Sequence, residues 1–174
     1  MRTGPFLSTF LMVIALGGCG DSPASPGAAP GTGTVVTGTS WLLAEMPGAA
    51  IPVAEARKTA REGDEVVVRG RIGGRREPMT AGSAVFVMID PAIPHCEIGK
   101  CKVPWDYCCE TPESILANSV TVKLVDGAGR PISLDLGEHA IKPLDEVVVV
   151  GTVGPRPNEG VFVILATKLH RVSG

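Results

Sequence analysis

Two stretches of the chain alternate apolar and polar residues with the period of a β-strand. Residues 64–75 place valines and an isoleucine on one face, and residues 145–156 repeat the pattern with eight of twelve positions identical. Each copy has a glycine near its middle, Gly70 in the first and Gly151 in the second. A glycine inside a strand indicates a bulge or a sharp bend. The pattern therefore predicts two strands that curve strongly.

Further apolar and β-branched runs extend the strand pattern along the rest of the chain. They predict strands at residues 84–89, 119–125, 132–136 and 161–170. The sequence Asp-Gly-Ala-Gly at 126–129 predicts a hairpin turn between the second and third of these. Before the first strand, Pro52 and the ten residues after it predict a helix that Gly63 ends. A short helix or turn is expected within residues 137–144.

This order of strands resembles the OB-fold. The resemblance is carried by Val66–Ile72 with its central glycine, by Val85–Asp90, and by Glu146–Val153 followed by Val161–Ala166. It implies an all-β chain, mainly β with one or two short helices, forming a small OB-like barrel of five to six strands over about residues 64–174. An open β-sandwich is the alternative architecture. The fold hosts many unrelated functions, so the resemblance alone implies no activity.

An insertion at residues 91–118 interrupts the strands and holds most of the unusual chemistry. Its four cysteines are Cys96, Cys101, Cys108 and Cys109. Three hypotheses compete for them. If the chain is exported, two disulfides that join the first two cysteines to the last two are favoured, because oxidising compartments preserve disulfides. Thiol–disulfide chemistry is a weaker hypothesis, in which Cys108 or Cys109 would need a lowered pKa.

The remaining hypothesis for the insertion is a metal site. Four thiolates, or three with His95 as an additional ligand, suit a tetrahedral soft ion such as zinc or copper(I). The spacing contains no Cys-x-x-Cys pair, and two adjacent cysteines rarely bind one ion without strain. The sequence therefore predicts no cofactor under the favoured disulfide interpretation, and zinc or copper under this alternative.

Four other side chains are candidates for ligand binding. Trp105 and Tyr107 lie in the insertion, where they either stack on a flat ligand or form the small core of the cysteine-rich loop. Arg69 and Arg71 belong to the main basic concentration, and a basic OB-like groove suggests nucleic-acid binding. Neighbouring carboxylates and a net charge of −2 argue against it, so nucleic acid is an unfavoured partner.

The first twenty residues predict where the protein is located. Arg2 precedes an apolar run that is too short to span a bilayer, and Leu-Gly-Gly-Cys follows at residues 16–19. These four residues resemble the lipobox of bacterial lipoproteins. The resemblance implies a signal peptide at residues 1–18, cleavage before Cys19, and acyl chains that anchor Cys19 in a membrane of the cell envelope.

The remaining segments complete the predicted domain organisation. Residues 19–40 are rich in Gly, Pro, Ser and Thr, which predicts a flexible tether. Residues 41–63 form a helical lead-in to the barrel. No catalytic motif is present, so the sequence predicts a non-catalytic binding or interaction module. Its partner would be an envelope protein or a small ligand, besides the membrane that holds its lipid.

Overall fold

The computed structural model describes residues 41–97 and 99–172. The predicted signal peptide, the lipidation site Cys19 and the tether lie outside the described residues. In chain order the elements are β1 (Leu42–Leu43), β2 (Ile51–Pro52), α1 (Val53–Thr59), β3 (Glu65–Ile72), β4 (Val85–Ile89), a 3₁₀ turn (Pro104–Asp106), α2 (Pro112–Asn118), β5 (Ser119–Leu124), a second 3₁₀ turn (Leu136–His139), β6 (Glu146–Val153) and β7 (Val163–Arg171).

Five of these strands close into a barrel. Strand β3 pairs with β4, β4 with β5, and β6 with both β3 and β7, all antiparallel. The ring closes through β5 and β7, which run parallel. The short strands β1 and β2 add to the outside, each parallel to a barrel strand. The prediction of a mainly β chain with a small OB-like barrel is confirmed.

The interior of the barrel follows from the alternation in the sequence. Strand β3 buries alternate residues and exposes or half-exposes those between them, as its apolar face predicts. The other barrel strands also direct apolar side chains into the interior. The fully buried core includes Val68, Ile72, Phe86, Met88, Val122, Leu124, Val147, Val149, Ile164 and Leu169. Removing this apolar area from water is the main force that stabilises the barrel.

The two repeated stretches form the antiparallel pair β3 and β6. Val68 pairs with Val149, and these two residues are also equivalent in the repeat, so a local two-fold relation passes between them. The hydrogen bonds obey it: the amide of Ile72 donates to the carbonyl of Asp145, and that of Val153 donates to Asp64, both at 2.9 Å. The repeat therefore encodes two equivalent halves of one strand pair.

Three sequence expectations need correction in this part of the chain. Residues 132–136 form no strand: the amide of Ile132 bonds to Leu124, but the chain then turns away and buries Leu136 in the core. The side chain of Asp135 accepts a hydrogen bond from Gly137 and begins the second 3₁₀ turn there. The lead-in contributes β1 and β2 as well as a helix. The insertion contains α2, so it is more regular than a loop.

Candidate metal centre

The insertion begins and ends at one closed point on the barrel. The amide of Asp90, just after β4, donates to the carbonyl of Asn118, just before β5, at 2.8 Å. Asp90 is itself buried, and its carboxylate accepts hydrogen bonds from the amides of Ala54 and Ala92 at 2.8 and 2.9 Å. Burying a carboxylate is costly unless hydrogen bonds replace those it made with water, and the two amides supply them here. Asp90 therefore fixes helix α1 and the start of the insertion relative to the barrel.

Two tight turns present the four cysteines. In the first turn, the amide of Cys101 bonds to the carbonyl of Glu97 at 3.2 Å, and Gly99 has a φ of +92° that favours glycine. The second turn begins at Tyr107, which has a left-handed backbone with φ 56°. There the amide of Cys108 bonds to the carboxylate of Asp106 at 3.0 Å. The turn at Tyr107 lets two adjacent cysteines face the same point.

The second turn is attached to the end of β3. The Tyr107 side chain is fully buried, and its ring lies against Gly73, where a Cβ would come within 2.8 Å of the ring carbon Cε2. The amide of Gly74 donates to the carbonyl of Trp105 at 2.9 Å, and the Trp105 indole donates to the carbonyl of Arg76 at 3.0 Å. The missing side chain at Gly73 is therefore what allows the cysteine-bearing turn to dock closely, and the Gly74 amide adds a backbone hydrogen bond to it.

The four sulfur atoms converge on one place. All lie within 4.8 Å of one another, and the Sγ of Cys96 is 3.5 Å from that of Cys108 and 3.7 Å from that of Cys109. A disulfide requires about 2.05 Å. All four cysteines are free thiols, so the disulfides predicted for Cys96 and Cys101 are not formed. The reason is geometric: the turns bring the four sulfurs together as a group and leave no separate pairs.

These separations suit a tetrahedral metal ion. Zinc–sulfur bonds of about 2.3 Å place neighbouring ligand sulfurs about 3.8 Å apart in a tetrahedron. The two separations of 3.5 and 3.7 Å from the Cys96 sulfur lie close to that value. Cys96 is buried, Cys101 is half-buried, and Cys108 and Cys109 are exposed. The group therefore has a buried side facing the barrel and an open side facing solvent.

The thiols differ in their tendency to ionise. Burial raises the pKa of the Cys96 thiol, but the Cys109 backbone amide and the three neighbouring thiols outweigh it and lower that pKa overall. The pKa of the Cys101 thiol and that of the Cys108 thiol are raised, chiefly through their hydrogen bonds with Cys96. Cys96 therefore becomes a thiolate more readily than Cys101 and Cys108 do.

The remaining predicted site residues are distributed around this group. His95 is not among the four converging residues, and its Nδ1 lies 2.8 Å from the Cys96 carbonyl oxygen. Tyr107 is fully buried, whereas Trp105 is half-buried and its indole donates a hydrogen bond to the Arg76 carbonyl. Arg69 pairs with Glu146 on the outside of the barrel, whereas Arg71 reaches the carbonyl of Ile93 at 3.4 Å. The two arginines therefore have different partners, although they lie on the same face of β3.

Sequence reasoning did not single out Gly73, whose lack of a side chain admits the Tyr107 ring and the Trp105 carbonyl, or Gly74, whose φ of +91° favours glycine. The only available signal was the unusual Gly-Gly pair directly after a strand. A separate concavity of about 520 Å³ lies beside the second 3₁₀ turn, lined by Lys142, Asp145 and Arg171 among others. Its charged groups already serve the fold: Asp145 accepts from the Lys142 amide and Arg171 donates to the Ala140 carbonyl.

Comparison with known proteins adds little to this geometry. No known protein family matches the chain, and no curated protein matches it. Among solved structures it is similar to the hypothetical protein YgiW from E. coli, with 16% identity, a TM-score of 0.37, and coverage of 72% of this chain and 94% of that one. It is also similar to a protein described as an aspartyl-tRNA synthetase from Leishmania major, with 16% identity and a TM-score of 0.40, covering 72% of this chain but only 21% of the other. No helix among the described residues is long and apolar enough to cross a membrane.

Proposed function

We propose that this protein is a zinc-binding module of the bacterial cell envelope, built on an OB-like barrel. The observation that carries the proposal is the convergence of four free cysteine sulfurs within 4.8 Å. Four thiolates in a tetrahedral arrangement are typical of zinc, while copper(I) is the alternative among soft ions. The ion would hold the two turns of the insertion together and attach them rigidly to the barrel end.

The role of such an ion is structural. An insertion of 28 residues with two short helical segments buries little apolar surface of its own, and none of the residues of α2 is buried. A metal ion bound by four cysteines stabilises a segment of this kind directly. The resulting surface serves as a binding or interaction module for an envelope protein or a small ligand. This role requires no catalytic group.

Metal content and thiol chemistry together test the proposal. We expect the full-length protein, purified without chelators, to contain about one zinc ion per chain by inductively coupled plasma mass spectrometry. Denaturation with a chelator but no reductant should then allow alkylation of Cys96, Cys101, Cys108 and Cys109, which peptide mapping detects. A metal-free protein whose four cysteines resist alkylation until reduced would support disulfide bridges instead. Bound copper in place of zinc would identify the alternative ion.

We also propose that the protein is a lipoprotein anchored through Cys19. The support is the sequence Leu-Gly-Gly-Cys at the end of a short apolar leader. Several acyl chains together give lasting attachment, since each buried CH₂ contributes about 0.8 kcal/mol. The tether at residues 19–40 would then place the barrel away from the membrane surface.

Fractionation of cells tests the anchor. Cys19→Ser should move the protein from the membrane fraction to the soluble fraction or leave it as an uncleaved precursor, because no thiol remains to accept a lipid. Cys109→Ser is the matched control and should stay in the membrane fraction. Mass spectrometry of the wild-type N-terminal peptide should show Cys19 as the first residue, carrying acyl chains. Membrane attachment of Cys19→Ser at the wild-type level would refute lipid anchoring at this residue.

A further inference from the structure

One buried polar group beside the cysteines lacks a hydrogen bond of regular geometry. Tyr107 is fully buried, and its hydroxyl makes no hydrogen bond of regular geometry, the only such buried side-chain atom among the described residues. A buried hydroxyl without a partner is costly, and native proteins rarely keep one without a reason. The ring position itself is explained by packing against Gly73. Phenylalanine would fill that space equally well, so the oxygen needs a separate explanation.

The surroundings of this hydroxyl point to the metal site. The Arg71 guanidinium lies beside it, and Cys96 is close enough for its charge to act on the phenol. A phenol hydroxyl can both accept and donate a hydrogen bond, so it can interact with Arg71 and still donate to a second group.

The buried cysteine is the ligand that needs such a donor. Cys96 is only 4% exposed, whereas Cys108 and Cys109 can be hydrated by solvent. A buried thiolate is stabilised by hydrogen bonds and nearby positive charge. Four thiolates around a divalent ion also leave a net charge of about −2, and the positive charge of Arg71 acts on the neighbouring Tyr107.

We propose that Tyr107 and Arg71 are positioning residues for the metal ligands. When the ion binds, the Tyr107 hydroxyl donates a hydrogen bond to the Cys96 thiolate, and the Arg71 guanidinium orients the phenol and offsets the negative charge. Outer groups of this kind orient ligands and tune a metal site. The inference rests on the proposed zinc binding and assigns the roles of two residues that do not touch the ion.

Tyr107→Phe removes only the oxygen and separates this role from packing. We expect zinc affinity, measured by competition with a chromophoric chelator, to fall by about 10- to 100-fold. The melting temperature of the metal-free protein should stay the same or rise, because an unpaired buried hydroxyl has been removed. The sulfur-to-metal charge-transfer band of the cobalt(II)-substituted protein should also shift. A purely structural tyrosine predicts either unchanged affinity or a parallel loss of affinity and melting temperature, and either result would overturn the inference.

Two arginines on one strand face provide the matched test of charge. Arg71→Gln should lower zinc affinity by a factor within the same range, whereas Arg69→Gln should leave it unchanged, since Arg69 pairs with Glu146. Equal effects of the two substitutions would refute a specific role for Arg71. If the wild-type protein binds no soft metal ion, the proposed function itself fails. If it binds zinc and both Tyr107→Phe and Arg71→Gln bind it equally well, only the present inference fails.

Discussion

Replacing Gly151 by alanine should lower the free energy of unfolding by about 3 kcal/mol or more. Strand β6 shifts register against β7 between Val150 and Gly151, and this irregularity brings the two backbones very close. A Cβ on Gly151 would lie 2.6 Å from the Cα of Ala166 and would also collide with the carbonyl of Leu165. These are backbone atoms of a paired strand, so they cannot move without breaking the barrel ladder.

The equivalent glycine of the repeat is the natural control. A Cβ on Gly70 would come within 2.8 Å of the Cγ and Sδ atoms of Met88. Methionine is flexible and can adopt another rotamer, so Gly70→Ala should cost only about 1–2 kcal/mol. Urea denaturation of both variants, monitored by far-ultraviolet circular dichroism, measures the difference. Equal losses of stability at the two positions would contradict the close backbone approach at Gly151.

The same glycines show why much of the barrel could be predicted from the sequence. Strand periodicity is local, and the repeated stretches place Gly70 and Gly151 at the same point of two strands that pair with each other. The strand predicted at residues 132–136 is wrong, because this segment has the composition of a strand but does not pair with one. Its first residue makes one ladder-like bond, after which the burial of Leu136 determines the path. That outcome depends on distant parts of the core.

The convergence of the cysteines could not be predicted, since it depends on contacts between distant residues. Their irregular spacing argued against a common ion, and two adjacent cysteines made it less favoured still. In the structure, the left-handed turn at Tyr107 lets the adjacent cysteines face the same point, and the contact of Tyr107 with Gly73 fixes the position of that turn. A residue 34 positions earlier in the chain thus decides where Cys108 and Cys109 point. The four cysteines alone indicated a possible metal site, but their convergence on one point can be seen only in the folded structure.

Replacing Cys96 by serine should reduce zinc affinity by more than about 100-fold. The loss of an outer hydrogen bond alone costs 10- to 100-fold, and a ligand contributes more than its orienting partners. Cys96 is also the buried member of the group and lies closest to the barrel, with sulfurs of both later cysteines within 3.7 Å. Serine is nearly the same size, so packing changes little. Chelator competition measures the affinity.

Neighbouring His95 supplies the control for this experiment. His95→Gln alters the adjacent residue but removes no converging ligand, so the variant should bind zinc as the wild type does. The metal-loaded wild type should also melt at a higher temperature than its metal-free form, and this difference should be smaller for Cys96→Ser at the same zinc concentration, because the stabilisation depends on the ratio of free zinc to the dissociation constant. Zinc binding that survives Cys96→Ser but fails in His95→Gln would mean that the ligands are not the four converging thiols. The insertion would then be held by a different set of groups, and the sulfur cluster would be a consequence of packing.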